Sequence, residues 1–513
     1  VAVRLQERFT KAGYYLARAR VLPADRASGV MTLEVDKGRV GRLAFYDGAD
    51  PAARQRDNKQ AFDGRYYSET QLRRQLRRIE DGAAFDYNEF YRTVFSINAH
   101  PDIKIDTDLR LRKDSSTGIE RRYADMDFYV REGTPFHGVA EFKNTGTEST
   151  EEWRSSISLQ HLNLTKSGDI LTVNTLSSAD FSSLLSFAAS YYRPVHAGNG
   201  GALTVYGGYS DVTAEEVVPE IDLIGTGWFL CLQGSYNLVS DDRRTVGIAV
   251  GATWKSIESR FDIEGCDEAT SVHLAERITL VPMSVALSYS SAKPDRWRGR
   301  NYLTCQTAFN VGSGVGASDT AELETQRIKA SANYWIERIQ AARLQPLFGR
   351  ESPDGSRTGE WLLYLKADGQ VASGPLVPAE QKAAGGMDTV RGYPERDALG
   401  DDGVSGTIEL RTPVIPLPFG RLLRGRKDTA QTDPAREPSC HAQFVGFIDG
   451  AYVSLKEPIE GSPAIQTLVG AGAGLRIAIS SHAQIRLDWG FPLEDTATSE
   501  SSGRGHLSVQ AQF

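Results

Sequence analysis

The chain has 513 residues, 40% of them hydrophobic, with a mean hydropathy of −0.36 and a formal net charge of −8. No apolar run reaches the ~18 residues that a transmembrane helix needs, which excludes helical spans but not a transmembrane β-barrel, whose strands are apolar only at alternate positions. The acidic balance argues against general nucleic-acid binding, because that needs a basic face to displace phosphate counterions.

Residues 1–37 read as the second half of a small α/β module. Val1, Leu5 and Phe9 recur at helical spacing, Gly13 is placed to cap the helix, and two strand-like runs follow, Tyr14 to Leu22 and Val30 to Val35. One helix with two strands has too little core to stand alone. The start shows no basic region, apolar core and cleavage site, so the sequence reads as a mature or trimmed form and its export cannot be read from there.

Residues 38–132 hold a complete version of the same unit. A strand from Val40 to Tyr46 leads to a helix opened by the capping pattern Ser68/Gln71 and carrying Leu72, Leu76 and Ile79. A second pattern, Asp86/Glu89, opens a helix with Phe90, Val94 and Ile97, which stops before Pro101. Two alternating strands follow, one with Ile103, Ile105, Leu109 and Leu111, the other with Ala124, Met126, Phe128 and Val130. The order β-α-α-β-β resembles a polypeptide-transport-associated (POTRA) module. Its sheet edge and helix groove offer an extended peptide a place to add as a strand. Arg73, Arg74, Arg77 and Arg78 form a basic stripe on the first helix, read here as a solvated face ahead of a partner surface.

Residues 133–513 change texture to alternating segments separated by Gly, Ser, Asn, Asp and Pro. Strands are expected at 136–146, 152–163, 168–180, 182–194, 200–212, 225–238, 243–262, 272–291, 301–315, 322–341, 358–372, 404–414, 440–453, 466–479, 482–492 and 504–513. That series has sixteen members, and an even number returns both ends of an antiparallel barrel to the same side. The alternating glycines from Gly470 to Gly474 lack a following Gly-Lys-Ser/Thr or helix, so they read as small residues in a strand, not a phosphate cradle. In the last strand Leu507, Val509, Ala511 and Phe513 alternate with polar residues, and the chain stops on the aromatic.

Between two of these strands lies Gly385 to Gly403, GGMDTVRGYPERDALGDDG, a composition that implies a shaped hairpin with a cationic tip. The ordered series Gln370, Leu376, Glu380, Gly385-Gly386, Val390-Arg391-Gly392-Tyr393, Gly400-Asp401-x-Gly403 and Glu409-Leu410 resembles the signature of outer-membrane polypeptide-transport barrels. Within that superfamily it is most similar to the two-partner secretion transporters, the TpsB family of haemolysin secretion/activation type. The resemblance implies a mainly β fold, a 16-stranded antiparallel transmembrane β-barrel preceded by α/β POTRA modules, the first one incomplete. Gly13-Tyr14 and Gly38-Arg39-Val40 fall where the family ends its first module and begins its second. Relative to the family, the plug helix, the linker and the first half of the first module are missing.

In that family the hairpin folds back into the lumen and its arginine meets a wall aspartate. The matching segment is Phe447-Ile448-Asp449-Gly450-Ala451 on the thirteenth strand, so the resemblance implies a contact from Arg391 to Asp449. A guanidinium taken out of water needs such a partner, and a carboxylate offers it paired, directional bonds. Ala451 stands where the family has glycine, which bears on local packing. Gly385, Gly386, Gly400, Asp401 and Gly403 would shape the loop, and Phe513 resembles the signal by which barrels are recognised for assembly. The implied partners are an unfolded exported protein, outer-membrane lipids and the barrel-assembly machinery, with no nucleic acid and a monomeric barrel. The implied location is the bacterial outer membrane, with the modules in the periplasm.

Cys231, Cys266, Cys305 and Cys440 are too scattered for a zinc site, and both a disulfide and unpaired thiols stay open. Neither H-E-x-x-H nor a Gly-x-Ser-x-Gly elbow occurs, so no catalytic residue, metal or cofactor is expected. Secretion of a partner protein is the leading function. Assembly of other barrels, and a surface-anchoring barrel of a larger enzyme, are the alternatives; two modules favour secretion.

Overall fold

The computed structural model describes residues 2–21, 32–48, 59–76, 79–98, 100–115, 121–196, 200–218, 221–263, 277–312, 314, 316–351, 357–417, 440–458, 463–479, 482–496 and 502–513. Val1, Leu22, Val30, Arg77, Arg78, Cys266 and positions 272–276 of the expected eighth strand lie outside the described residues. The other three cysteines are free thiols. Contacts divide the chain into two compact units, the first comprising Val1–Phe136, His161–Ile170 and Arg193–Gly200.

In the first unit the helix Ala2–Lys11 ends at Gly13, whose φ of 101° lets the Tyr14 N–H donate back to the Phe9 carbonyl at 2.9 Å. The short strands Arg18–Val21 and Leu33–Asp36 then pair with each other. A three-stranded sheet follows, with Arg121–Glu132 in the centre, parallel to Arg39–Asp47 and antiparallel to Ile103–Asp114. The helices Glu69–Gln75 and Tyr87–Asn98 complete the β-α-α-β-β order. Ser68 caps the first by accepting from the Gln71 N–H at 3.2 Å, but the Gln71 side chain does not close a capping box; its amide pairs instead with that of Asn163 in the same unit. Asp86 accepts from the N–H groups of Asn88 and Glu89.

Leu72, Leu76, Ile79, Phe90, Ile97, Ile103, Ile105, Met126 and Phe128 share one core. Leu109 and Leu111, expected beside them, are exposed at 42% and 68%. The reason is length: twelve residues of strand run ~40 Å, whereas helices of seven and twelve residues cover only ~10–18 Å. The sheet outruns its helical cover, and alternation continues where there is nothing to bury against.

In the second unit eighteen strand segments close into a barrel. Ile278–Leu280 and Met283–Ser291 both pair with Arg244–Ile263, and Asp402–Arg411 and Ile415–Pro416 both pair with Cys440–Ser454. Among the described residues the wall therefore has sixteen strands, all antiparallel to their neighbours. The interruptions fall at Pro282 and Pro413, which have no N–H to give a ladder. The seam is closed by the last strand, Arg504–Gln512, pairing with the first, Phe136–Lys143. Phe513 extends that pairing by exchanging two backbone hydrogen bonds of 3.0 Å with Gly138. Its ring lies over Gly138, where an added Cβ would come within 2.1 Å.

Burial alternates along each wall strand, as in Cys440–Ser454, where Val445, Phe447, Asp449, Ala451 and Val453 are buried and Phe444, Ile448 and Tyr452 are exposed. Exposed Trp228, Leu230 and Leu232 on one strand and Trp489 and Phe491 on another form the outward, apolar set. Gly201–Val218, Ile221–Ser240 and Arg244–Ile263 have 18, 20 and 20 residues, well beyond the ~9–11 that cross a bilayer.

One expected strand is corrected. Residues 322–326, read as the start of the tenth strand, belong to a helix, Thr320–Gln326, and the strand itself runs Tyr334–Pro346. Asp319 accepts from the Glu322 N–H at 2.9 Å while the Glu322 carboxylate accepts from the Asp319 N–H at 2.9 Å, a reciprocal cap that fixes a helix start.

Candidate functional site

The connection between the strands Leu362–Ala372 and Asp402–Arg411 turns back against the inward face of the wall. Its stem is a small ladder of Lys382–Ala384 with Ala398–Gly400. Beyond the stem, Val390 and Tyr393 are fully buried and Arg391 is 3% exposed. Gly392 between them has φ of 101°, a backbone state that side-chain-bearing residues avoid, and its N–H points at His506 Nε2, 3.3 Å away. Nε2 accepts that bond, so the imidazole carries its proton on Nδ1.

Arg391 is the centre of this arrangement. Its Nε and Nη2 donate to the two oxygens of Asp449 at 2.7 and 2.9 Å, a forked pair, and its own backbone N–H adds a bond of 3.2 Å. Nη1 donates to Glu409 at 2.8 Å and reaches Asp488 at 3.5 Å. The guanidinium lies over the Phe447 ring, 3.4 Å from its centroid. Burial works against the charge, but the hydrogen bonds and charges of Asp449, Glu409 and Asp488 win and hold the arginine above its ordinary pKa. One hairpin cation thus grips carboxylates from the twelfth, thirteenth and fifteenth strands.

Two of those carboxylates have other cations. Arg411 donates to Glu409 at 2.8 Å, while Arg476 and Arg486 donate to Asp488 at 2.6 and 2.7 Å. Among the described residues, Arg391 is the sole cation on Asp449. The node therefore stays partly neutralised without the hairpin, except at Asp449.

Close approach of the hairpin backbone is what the glycines of the wall permit. A Cβ on Gly470 would sit 2.1 Å from the Arg391 carbonyl oxygen, and one on Gly490 would sit 2.6 Å from the Arg391 carbonyl carbon. Gly470 of the fourteenth strand and Gly490 of the fifteenth are thus the landing surface, whereas Gly472 and Gly474 face the wall residues Trp489 and Asp488. Tyr393 closes the other side, its hydroxyl donating to the Glu494 carbonyl at 2.7 Å and accepting from the Glu494 N–H at 3.1 Å.

The remaining members of the sequence series serve the stem. Gln370 donates to the backbone carbonyls of Glu380 and Asp401 and accepts from Arg338, while Lys255 and Arg338 both reach the Glu380 carboxylate. Leu376 and Asp401 are buried. Gly385 packs against the Pro394 carbonyl, Gly386 against the Glu395 carboxyl, and Gly400 and Gly403 against the backbone of the thirteenth strand. Glu395 accepts from the Met387 N–H at 2.7 Å, and burial pushes its carboxyl up to about 7. Asp488, Arg476, Arg486 and His506 escaped the sequence reading. Alternation in Gln484, Arg486, Asp488 and Gly490 against Ile485, Leu487, Trp489 and Phe491 was the available signal, since it puts a carboxylate on the polar, inward face.

Near the tip lies a cavity of about 480 Å³, lined in part by Lys143, Asp388, Arg411, Arg476, Arg486 and Gln510. Residues 123–424, more than half of the chain, match the family model described as haemolysin secretion/activation protein ShlB/FhaC/HecB. The chain belongs to this haemolysin secretion/activation family. Among solved structures it is similar to CdiB from Escherichia coli at 18% identity and a TM-score of 0.71, covering 100% of this chain and 83% of that one. It is also similar to CdiB from Acinetobacter baumannii at 16% identity and a TM-score of 0.67, covering 100% and 81%. BamA from Haemophilus ducreyi lacking POTRA domains 1–3 follows at 13% identity and a TM-score of 0.55, covering 100% and 92%. At such identities these likenesses show the shared fold. No curated protein sequence matches the chain.

A member of this family is an outer-membrane transporter of two-partner secretion, and the α/β part of the chain lies in the periplasm. The family is one of secretion channels, not of enzymes, and it works with an exported partner protein. Secretion, the leading expectation from the sequence, is thus the function of the family.

Proposed function

We propose that residues 390–393 are a positioning element for transport: Arg391 holds the hairpin in the lumen, where it braces the wall and borders a polar passage that widens for an unfolded chain. The observation that carries this reading is the forked bond from Arg391 to Asp449, backed by Glu409 and Asp488. A polar, two-sign lumen suits an unfolded polypeptide, since it offers partners to backbone and charged groups without an apolar trap. Residues 1–37 and 38–132 act as a partial first and a complete second POTRA module that present the exported chain to the barrel domain of residues 133–513. The exposed wall residues face outer-membrane lipids, and Phe513, which completes the closing seam, is the mark read by the assembly machinery. The barrel works as a monomer, without cofactor or catalysis.

The test is secretion of the partner protein by an Arg391→Ala variant. Loss of most secretion at unchanged barrel abundance and heat-modifiability is expected. Normal secretion at that abundance removes the hairpin from the mechanism.

A further inference from the structure

A second buried ion pair lies outside the lumen node, on the connections between strands. With the α/β part in the periplasm, the first barrel strand leads outward, so every odd-numbered connection faces the cell exterior. These include the connection of residues 311–333, the hairpin connection of residues 373–401 and the connection of residues 455–464. All three meet at one carboxylate.

Asp401 is fully buried, and both of its oxygens are occupied. Oδ1 accepts from Arg327 Nη1 at 2.5 Å, the Leu376 N–H at 2.9 Å and Gln381 Nε2 at 3.3 Å. Oδ2 accepts from Arg327 Nη2 at 2.8 Å and the Lys456 N–H at 2.7 Å. Arg327 also donates to the Leu376 and Lys456 carbonyls at 2.8 and 2.9 Å. One side chain thus ties the first of these connections to the other two.

Arg327 is held for that task from behind. It directly follows the helix Thr320–Gln326, and Leu323 of that helix is buried with Ile278, Leu280, Ala330, Ala332 and Val377. Val377 belongs to the ascending limb of the hairpin connection, so the apolar contact and the ion pair join the same segments. Neutral donors already tie Asp401 to its own connection and, through the Lys456 N–H, to that of residues 455–464; what the arginine adds is the connection that carries it, 74 residues away in sequence. Lys329 and Glu457, a solvent-exposed pair 2.6 Å apart, bridge two of the same connections nearby.

We propose that Arg327 is a further positioning residue for transport: it clasps three exterior connections over the outer mouth of the barrel, and release of the exported chain requires the Arg327–Asp401 contact to open. The idea rests on the transport function and is independent of the role given to Arg391. Arg327→Ala should raise single-channel conductance in planar bilayers, with Arg327→Lys, which keeps the charge but loses the fork, in between. Unchanged conductance from an intact, heat-modifiable Arg327→Ala barrel overturns the proposal.

A second arm works even where that variant fails to fold. Lys329→Cys and Glu457→Cys are combined in a chain whose own four cysteines are serine, then joined by a short, reducible bis-maleimide. Secretion of the partner should fall about tenfold or more in the linked form and recover on reduction. Undiminished secretion while linked overturns the clasp. If Arg391→Ala blocks secretion while these variants and links leave it untouched, this inference alone fails.

Discussion

The lumen node and the outer-mouth node are built on opposite plans. In the lumen one hairpin cation meets three carboxylates fixed to the wall, and three further wall arginines stand behind two of them. At the mouth one carboxylate meets one cation, and its other donors are two backbone N–H groups and an amide carried on connections. Breaking a buried ion pair by removing one partner costs about 3–5 kcal/mol when the remaining charge is left uncompensated. Asp449 is in that position when Arg391 goes, whereas Asp401 keeps three neutral donors when Arg327 goes. The inner node is therefore a deep lock mounted on a rigid frame, and the outer one a shallower clasp mounted on loops. A transporter that must hold a resting shape and still admit a chain is served by having the two differ.

This contrast can be attacked without touching a charge. Gly490→Val places a side chain where the Arg391 backbone now lies, and forcing extra volume into a packed site costs about 1–3 kcal/mol, sometimes more. Hairpin docking should weaken, seen as new protease cleavage between Met387 and Arg396, while the Lys329–Glu457 cross-link still forms. Equal loss of both would merge the two nodes into one cooperative unit and end the contrast.

A smaller effect separates the nodes by pH. Burial lifts Glu395 from the ordinary carboxylate range to about 7 in the docked hairpin, with Asp388 adding to the rise and Lys143 and Arg504 opposing it. The docked state then binds the extra proton: its stabilisation is complete below the ordinary value near 4.5 and is lost as pH rises through about 7. Relative to Glu395→Gln, the parent chain should accordingly gain docking strength as pH falls from 8 to 5.5. A slope unchanged in Glu395→Gln assigns the titration to another group. The outer clasp, which does not include Glu395, should not follow that carboxyl.

Much of this was legible in the residues. Strand spacing gave the number of wall strands because alternation at period two is written directly in the sequence; the Val390–Tyr393 motif marked the hairpin, while Asp449 was pointed to only by the family resemblance of Phe447–Ala451. What alternation does not carry is which inward residues come together across the barrel. Asp488 lies 97 residues from Arg391 and His506 lies 114 residues from Gly392, and no local pattern encodes such a meeting. The helix Thr320–Gln326 was misread because Ala321 and Leu323 alternate with polar residues. The better signal was the cap, Asp319 followed three residues later by Glu322. Leu109 and Leu111 failed for the reverse reason: the period was right, but the helices end before it does.

The central claim is that Arg391 keeps the hairpin against the wall, and the most direct measurement of it is a distance. Spin labels at Asp388→Cys on the tip and Ser288→Cys on the eighth strand, in a chain with its own cysteines replaced, report tip position by pulsed electron paramagnetic resonance. A single narrow distribution is expected with Arg391 in place, and a broad or second, displaced one with Arg391→Ala. An identical narrow distribution in both would contradict the account.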